Sequence, residues 1–132
     1  MWISDIETAV FSRIKARGSS LIKNYPNIFF TAENESDETV AVFPTVLVQE
    51  LNGAEEAESL DGGNINAYSA NFQISIAHNG QKADVRKIMN NVMDSMKEMK
   101  FNIVGTPFYT KSSGVWNGVA RFRRTIGSSD TL

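Results

Sequence analysis

The chain has 132 residues, of which 42% are hydrophobic and 21% charged, with a formal net charge of −2 and no cysteine. That length is close to the commonest size of a single domain, which typically buries roughly two-thirds of the surface its unfolded chain exposes. Lack of cysteine removes disulfides, thiolate nucleophiles and cysteine-held zinc. The acidic balance does not fit a chain that works by neutralising phosphates, and no apolar run approaches the ~18 residues of a membrane span.

One domain is therefore expected over residues 1–132, with 127–132 as a flexible tail. Met1-Trp2-Ile3-Ser4-Asp5 lacks the basic start and long apolar stretch of a signal peptide, so a protein made and used in the cytoplasm, or assembled there, is expected.

Ser4-Asp5-Ile6-Glu7 has capping-box spacing. Ile6, Val10, Phe11 and Ile14 then recur at helical spacing, which predicts a first helix from about Asp5 to Arg17, stopped by Gly18. Tyr25-Pro26-Asn27 reads as a turn and Ile28 to Thr31 as a short strand. Residues 32–38 are polar and acidic and read as a loop. Thr39 to Leu51 is a long β-branched run with apolar residues on both parities, read as a strand buried on both sides, with a neighbouring subunit as one candidate cover, and with Pro44 marking an edge, bulge or break.

Asn52 to Asn66 reads as a long acidic loop carrying Glu55, Glu56, Glu58, Asp61 and Gly62-Gly63. Tyr68, Ala70, Phe72, Ile74 and Ile76 alternate with polar residues, as in a half-buried strand. Lys82 to Lys100 is predicted as a second helix, with a stripe of Val85, Ile88, Met89, Val92, Met93, Met96 and Met99 that reads as core in preference to an adaptable binding surface. Phe101 to Thr110 is a strand interrupted by Gly105 and Pro107. Lys111-Ser112-Ser113-Gly114 is a hairpin turn, and Val115 to Ile126 is the last strand. The expected class is α+β in the order α-β-β-β-α-β-β: a sheet of four to five strands, antiparallel or mixed, with two amphipathic helices on one face.

The chemistry is sparse. His78 is the only histidine, and no positioned partner is recognisable beside it, so a surface residue at a strand end is expected. The carboxylates of the 52–66 loop do not match calcium-loop spacing, and no phosphate-binding glycine pattern is present. No catalytic residue, metal or cofactor is expected. Arg121 and Arg123 point to one face of the last strand, and Arg124, in phase with Trp116 and Phe122, to the other. These arginines read as subunit or partner contacts, as ordinary ion pairs, or as nucleic-acid contacts.

Taken together, the first helix, the strand entering Phe43-Pro44-Thr45-Val46-Leu47-Val48, the acidic Gly-rich loop, the methionine-rich helix and the closing hairpin ending Gly118-Val119-Ala120-Arg121-Phe122-Arg123-Arg124 resemble the tail-terminator (tail-completion, tail-to-head joining) proteins of long-tailed bacteriophages. The resemblance lies in topology and length, over about residues 2–126. It implies a hexameric ring that caps the tail tube and ends its polymerisation. It also implies a lumen for passing DNA and a docking surface for the head. The implied partners are other copies of the chain, the tail tube protein and the head–neck connector protein, in a virion assembled in the host cytoplasm. Val42, Val46, Val48, Glu55, Glu56, Glu58, Asp61, Arg121, Arg123 and Arg124 are the candidate interface residues. Another neck or head-closure component, and a small nucleic-acid-binding protein using the last strand, are the alternatives.

Overall fold

The computed structural model describes residues 5–32, 42–58 and 65–127. In chain order these form α1 (Ile6–Gly18), a 3-10 turn (Ser19–Lys23), β1 (Phe29–Thr31), β2 (Thr45–Glu58), β3 (Ile65–His78), α2 (Lys82–Glu98), β4 (Asn102–Ser112) and β5 (Val115–Gly127). The strands make one mixed sheet in the order β1-β2-β3-β5-β4. Only the β1–β2 pair is parallel; the other three are antiparallel. The α+β order expected from the sequence is the order found.

In α1, Ile6, Val10 and Ile14 are buried on one stripe, as the spacing predicted. Of the expected capping box, Ser4 lies outside the described residues, and Asp5 takes the N-cap position with no side-chain cap bond. Gly18 is buried because of space: a Cβ there would stand 2.3 Å from Cζ of Phe30. The helix therefore rests directly on the ring that β1 contributes to the core, and the chain continues past Gly18 as the 3-10 turn.

Helix α2 buries Val85, Ile88, Met89, Val92 and Met96. The methionine stripe is core, as expected; Met96 and the following Met99 are fully buried. The helix opens with a capping box between Gln81 and Asp84. It closes with a Schellman pattern: Phe101 N donates to Met96 O at 2.9 Å, and Lys100 N donates to Lys97 O at 2.9 Å. Lys100 takes the left-handed position at φ 63°, where glycine is the usual occupant.

Val46 and Val48 of β2, Ala70, Phe72, Ile74 and Ile76 of β3, and Ala120, Phe122 and Ile126 of β5 fill the face beneath the helices. Each such buried Val, Ile or Phe contributes roughly 1.5–3 kcal/mol by leaving water. The β4–β5 hairpin turns at Ser113 (φ 52°) and Gly114 (φ 78°), a two-residue turn; the positive φ expected at Gly114 is found, and the left-handed Ser113 was not expected. The β4–β5 register shifts between Val104 and Phe108, around the predicted interruption at Gly105 and Pro107.

Two expected boundaries change. The strand expected from Thr39 begins at Thr45: Phe43–Pro44 is a cis peptide before the strand, and the Pro44 carbonyl accepts from Phe29 N at 2.9 Å. Residues 33–41, including most of the expected 32–38 loop, lie outside the described residues. The expected 52–66 loop is largely strand, because β2 and β3 stay paired as far as Glu58 with Ile65. A register shift between Leu51 and Ala54 absorbs Asn52-Gly53, so the turn residue there is a bulge within a longer hairpin. Asp61, Gly62-Gly63 and the 128–132 part of the expected tail lie outside the described residues.

Candidate interaction surface

Strand alternation gives the sheet two unlike faces. The helices cover one. Across the other, register aligns Leu47, Ser75, Val119 and Phe108 in one row, and Gln49, Gln73, Arg121 and Val104 in the next. Leu51, Asn71, Arg123 and Asn102 make a third. This open face mixes apolar and amide side chains with two cations. Phe108 is 57% exposed and Val104 54%, well above what a side chain packed on a core would show. A hollow of about 320 Å³ on this face is lined by Leu51, Asn71, Val104 and Arg121, among others. Scattered exposed apolar residues are ordinary; here Val104 and Phe108 both stand on the edge strand β4, beside the arginines of β5.

The two open-face arginines are held in place. Arg121 Nε donates to Gln73 Oε1 at 3.0 Å, and Arg123 Nε donates to Ser69 Oγ at 3.2 Å. Both acceptors are neighbours on β3, and they orient the guanidinium groups. Arg124 is different. It projects to the helix side, half-buried, and its Nη1 donates to Met99 O at 2.8 Å, the carbonyl at the C-cap of α2. It ties β5 to the end of α2, a role within the fold that the sequence did not show.

The other candidates divide in the same way. Val46 and Val48 have no exposed surface and belong to the core under the helices, so they present nothing to a partner. Of the strand expected to be buried on both sides, the helix-side parity is buried within the chain, while Leu47, Gln49 and Leu51, on the opposite parity, are partly covered. Val42, just ahead of β2, is 43% exposed. Glu55, Glu56 and Glu58 lie on the far half of β2, paired with β3, and Asp61 lies outside the described residues.

His78 is not the surface residue its strand-end position suggested. Its side chain is 12% exposed, with Nε2 3.4 Å from Oδ2 of Asp84. Tyr25 OH donates to the other oxygen of Asp84 at 2.9 Å, and the Tyr25 and His78 rings meet edge to face at 6.0 Å. The hydrogen bond from Tyr25 holds the Asp84 carboxyl below its ordinary 3.8 against the opposing effect of burial; the Gln81 amide and His78 add to the lowering. Burial first, then the bond to Asp84 and its charge, push the Tyr25 hydroxyl up to about 12. The cluster fastens the turn before β1 to the end of β3 and the start of α2. A Cβ at Gly80 would stand 2.4 Å from His78 Nε2, so the chain closes tightly over the ring. Sequence reading missed the partners because Tyr25 and Asp84 are 59 residues apart.

A second feature absent from the sequence reading lies on the helix side of β4 and β5. Lys82 Nζ sits 5.4 Å from the Trp116 ring centre and 5.9 Å from that of Tyr109. Arg86 lies 5.6 Å from Tyr109, and Lys111 lies 5.8 Å from Trp116. Lys82 and Arg86 are one helical turn apart, and Lys111 faces Trp116 in the hairpin register, so the spacing carried the signal once both elements were placed.

No metal-holding group of His, Cys, Asp or Glu occurs among the described residues. No described helix is long and apolar enough to cross a membrane.

No protein-family model matches the chain, and no curated protein matches it. Among solved structures, it is similar to the sheath/tube terminator of an extracellular contractile injection system, PVC, in its extended state, with a TM-score of 0.44 and 12% identity. The match covers 91% of this chain and 58% of that one, so this chain spans under two-thirds of the structure it matches.

Proposed function

We propose that the chain is a structural ring protein that caps the tube of a phage tail or related particle, ends its polymerisation and offers a joining surface to the head or neck. One observation carries the reading. Among the described residues the sheet is covered by helices on one side only, and its other face combines exposed Val104 and Phe108 with two oriented arginines next to the edge strand β4. A monomer gains nothing from such a face, whereas a subunit buries it against neighbours. The α-β-β-β-α-β-β order, on which the resemblance to tail terminators rests, supports the same reading.

In this role the working parts are surfaces, and no reaction is catalysed. Self-association into a hexamer, contact with the tail tube protein and the head–neck connector, and a lumen through which DNA passes belong to the same proposal, as does a place in the virion.

The test is direct. Purified chain is added to growing tail-tube polymer, and tube lengths and ends are read by negative-stain imaging. The proposal predicts shorter tubes with an added ring of density at one end. Tubes of unchanged length with bare ends overturn it.

A further inference from the structure

Helix α2 and the β4–β5 hairpin bring three cations to two aromatic rings. Tyr109 lies opposite Gly118 in the hairpin register, and a Cβ at Gly118 would stand 2.9 Å from Cε1 of that ring and 2.8 Å from Cγ1 of Val85. The missing side chain lets the Tyr109 ring lie close over β5, against α2. Trp116 takes the next position of β5 on the same face, opposite Lys111. Lys82 Nζ is shared by the two rings, Arg86 stands over Tyr109, and Lys111 stands over Trp116. Arg86 and Lys111 are exposed; Lys82 and both rings are half-buried.

No carboxylate of the surrounding elements answers these charges. From Met99 to Gly127 the sequence has no Asp or Glu, so β4 and β5 supply none. The acids of α2 are Asp84, Asp94 and Glu98, and each is held elsewhere. Asp84 accepts from Tyr25 OH and the Gln81 amide, while Asp94 and Glu98 pair with Arg17 of α1. None of the three cations has an ion pair among the described residues. A ring face attracts a cation but leaves most of its N–H donors for an anion. Lys82 also takes the first position of α2, where the helix dipole disfavours a cation and favours an anion.

We infer that this patch docks an acidic segment of a partner protein, whose carboxylates meet Lys82, Arg86 and Lys111 and whose apolar parts rest on Trp116 and Tyr109. Charge selects that partner over nucleic acid. The chain has a net charge of −2, and nine Asp and Glu lie between Lys23 and Lys82 with no Lys or Arg among them. A long polyanion meets that whole field, whereas a short acidic segment meets only the local cations. Cations of the chain already stand over both rings, where a base would stack. Trp, Tyr and Arg are also the residues on which protein interfaces most often depend. Such docking needs no ring of subunits and is measured on the isolated chain, so it stands or falls separately from tube capping.

The experiment titrates hexaglutamate into isotope-labelled chain and follows amide and indole N–H shifts by NMR. Saturable shifts are expected at the Trp116 indole and at the amides of Lys82, Arg86 and Lys111, a result that needs no variant. Lys82→Gln with Arg86→Gln and Lys111→Gln should weaken binding at least tenfold. Removing equal charge from exposed positions, by Lys15→Gln with Lys23→Gln and Lys87→Gln, should change it less than twofold. Circular dichroism and melting check that both variants are folded; Lys111→Gln alone, at the exposed end of the hairpin, should weaken binding about threefold and serves if the triple variant does not fold. Raising salt from about 0.05 to 0.5 M shortens the screening length and should weaken binding at least fivefold. Equal losses in the two triple variants, shifts that miss Trp116, binding indifferent to salt, or no shift at millimolar peptide each overturn the proposal. A short DNA duplex that binds more tightly than hexaglutamate, and loses affinity in the same patch variant, makes this a phosphate surface and also overturns it.

Discussion

Replacing Arg124 by alanine separates the arginine that builds the fold from those that serve a surface. Its Nη1 donates to the Met99 carbonyl at the C-cap of α2, from a half-buried position on the helix side of β5. A hydrogen bond to a charged group contributes about 1.5–3 kcal/mol net, and a cation beside a helix C-terminus adds about 0.3–1 kcal/mol at an exposed site. Some of this is recovered because water can reach the site, so the expected loss is about 2 kcal/mol. For a chain of this length that corresponds to a fall in Tm of roughly 6–10 °C. Arg121→Ala, at an exposed position bonded to Gln73, should change stability by no more than ~0.5 kcal/mol. Urea unfolding and thermal melts of the two variants, under conditions that keep the chain monomeric, provide the comparison. Equal losses, or a larger loss at Arg121, would refute the division of roles.

Further predictions concern buried polar groups and helix ends. Glu50 stands on the helix side of β2 opposite Phe72, and its Oε2 is buried without a hydrogen-bond partner among the described residues. Burial, and then the charge of Glu7, raise its pKa above the ordinary 4.5. A raised carboxyl favours the fold below its unfolded value and opposes it as pH rises through the folded value. Glu50→Gln should therefore stabilise the chain by about 1 kcal/mol at pH 7 and have no effect near pH 3, as read by denaturant midpoints; an equal effect at both pH values contradicts this. Asp84 has the opposite sign. Its lowered carboxyl contributes stability above 3.8 that is lost as pH falls through the lower folded value. Asp84→Asn should cost about 1–2 kcal/mol at pH 7, with the gap from wild type closing toward pH 2 in the same titration. Lys100→Gly relieves a left-handed non-glycine residue at the end of α2 and should gain about 0.5–1 kcal/mol; a loss would mean that the Lys100 side chain is anchoring the turn.

The fold was readable where the sequence shows periodicity. The Val85–Met99 stripe, the Tyr68–Ile76 alternation and the Ser113-Gly114 turn each encode local geometry, and each appears where expected. The β2–β3 hairpin was not readable, because Glu55-Glu56-Ala57-Glu58 lacks an alternating apolar pattern and Asn52-Gly53 looks like a loop start. Pairing with β3 overrides that local signal and turns Asn52-Gly53 into a bulge. Parity correctly divided Arg121 and Arg123 from Arg124. It could not reveal that Arg124 reaches the end of α2, because that contact depends on how the helix lies over β5. Val46 and Val48 were misassigned for a similar reason: apolar residues on both parities do not say which face the helices cover. The Tyr25–Asp84–His78 cluster joins three distant parts of the chain and leaves no local trace.

Native mass spectrometry of the purified chain across a concentration series tests the central claim most directly. One discrete closed oligomer is expected, with a mass that is a fixed multiple of the 14.6 kDa subunit. A chain that remains monomeric throughout, or forms only two-fold dimers, contradicts it.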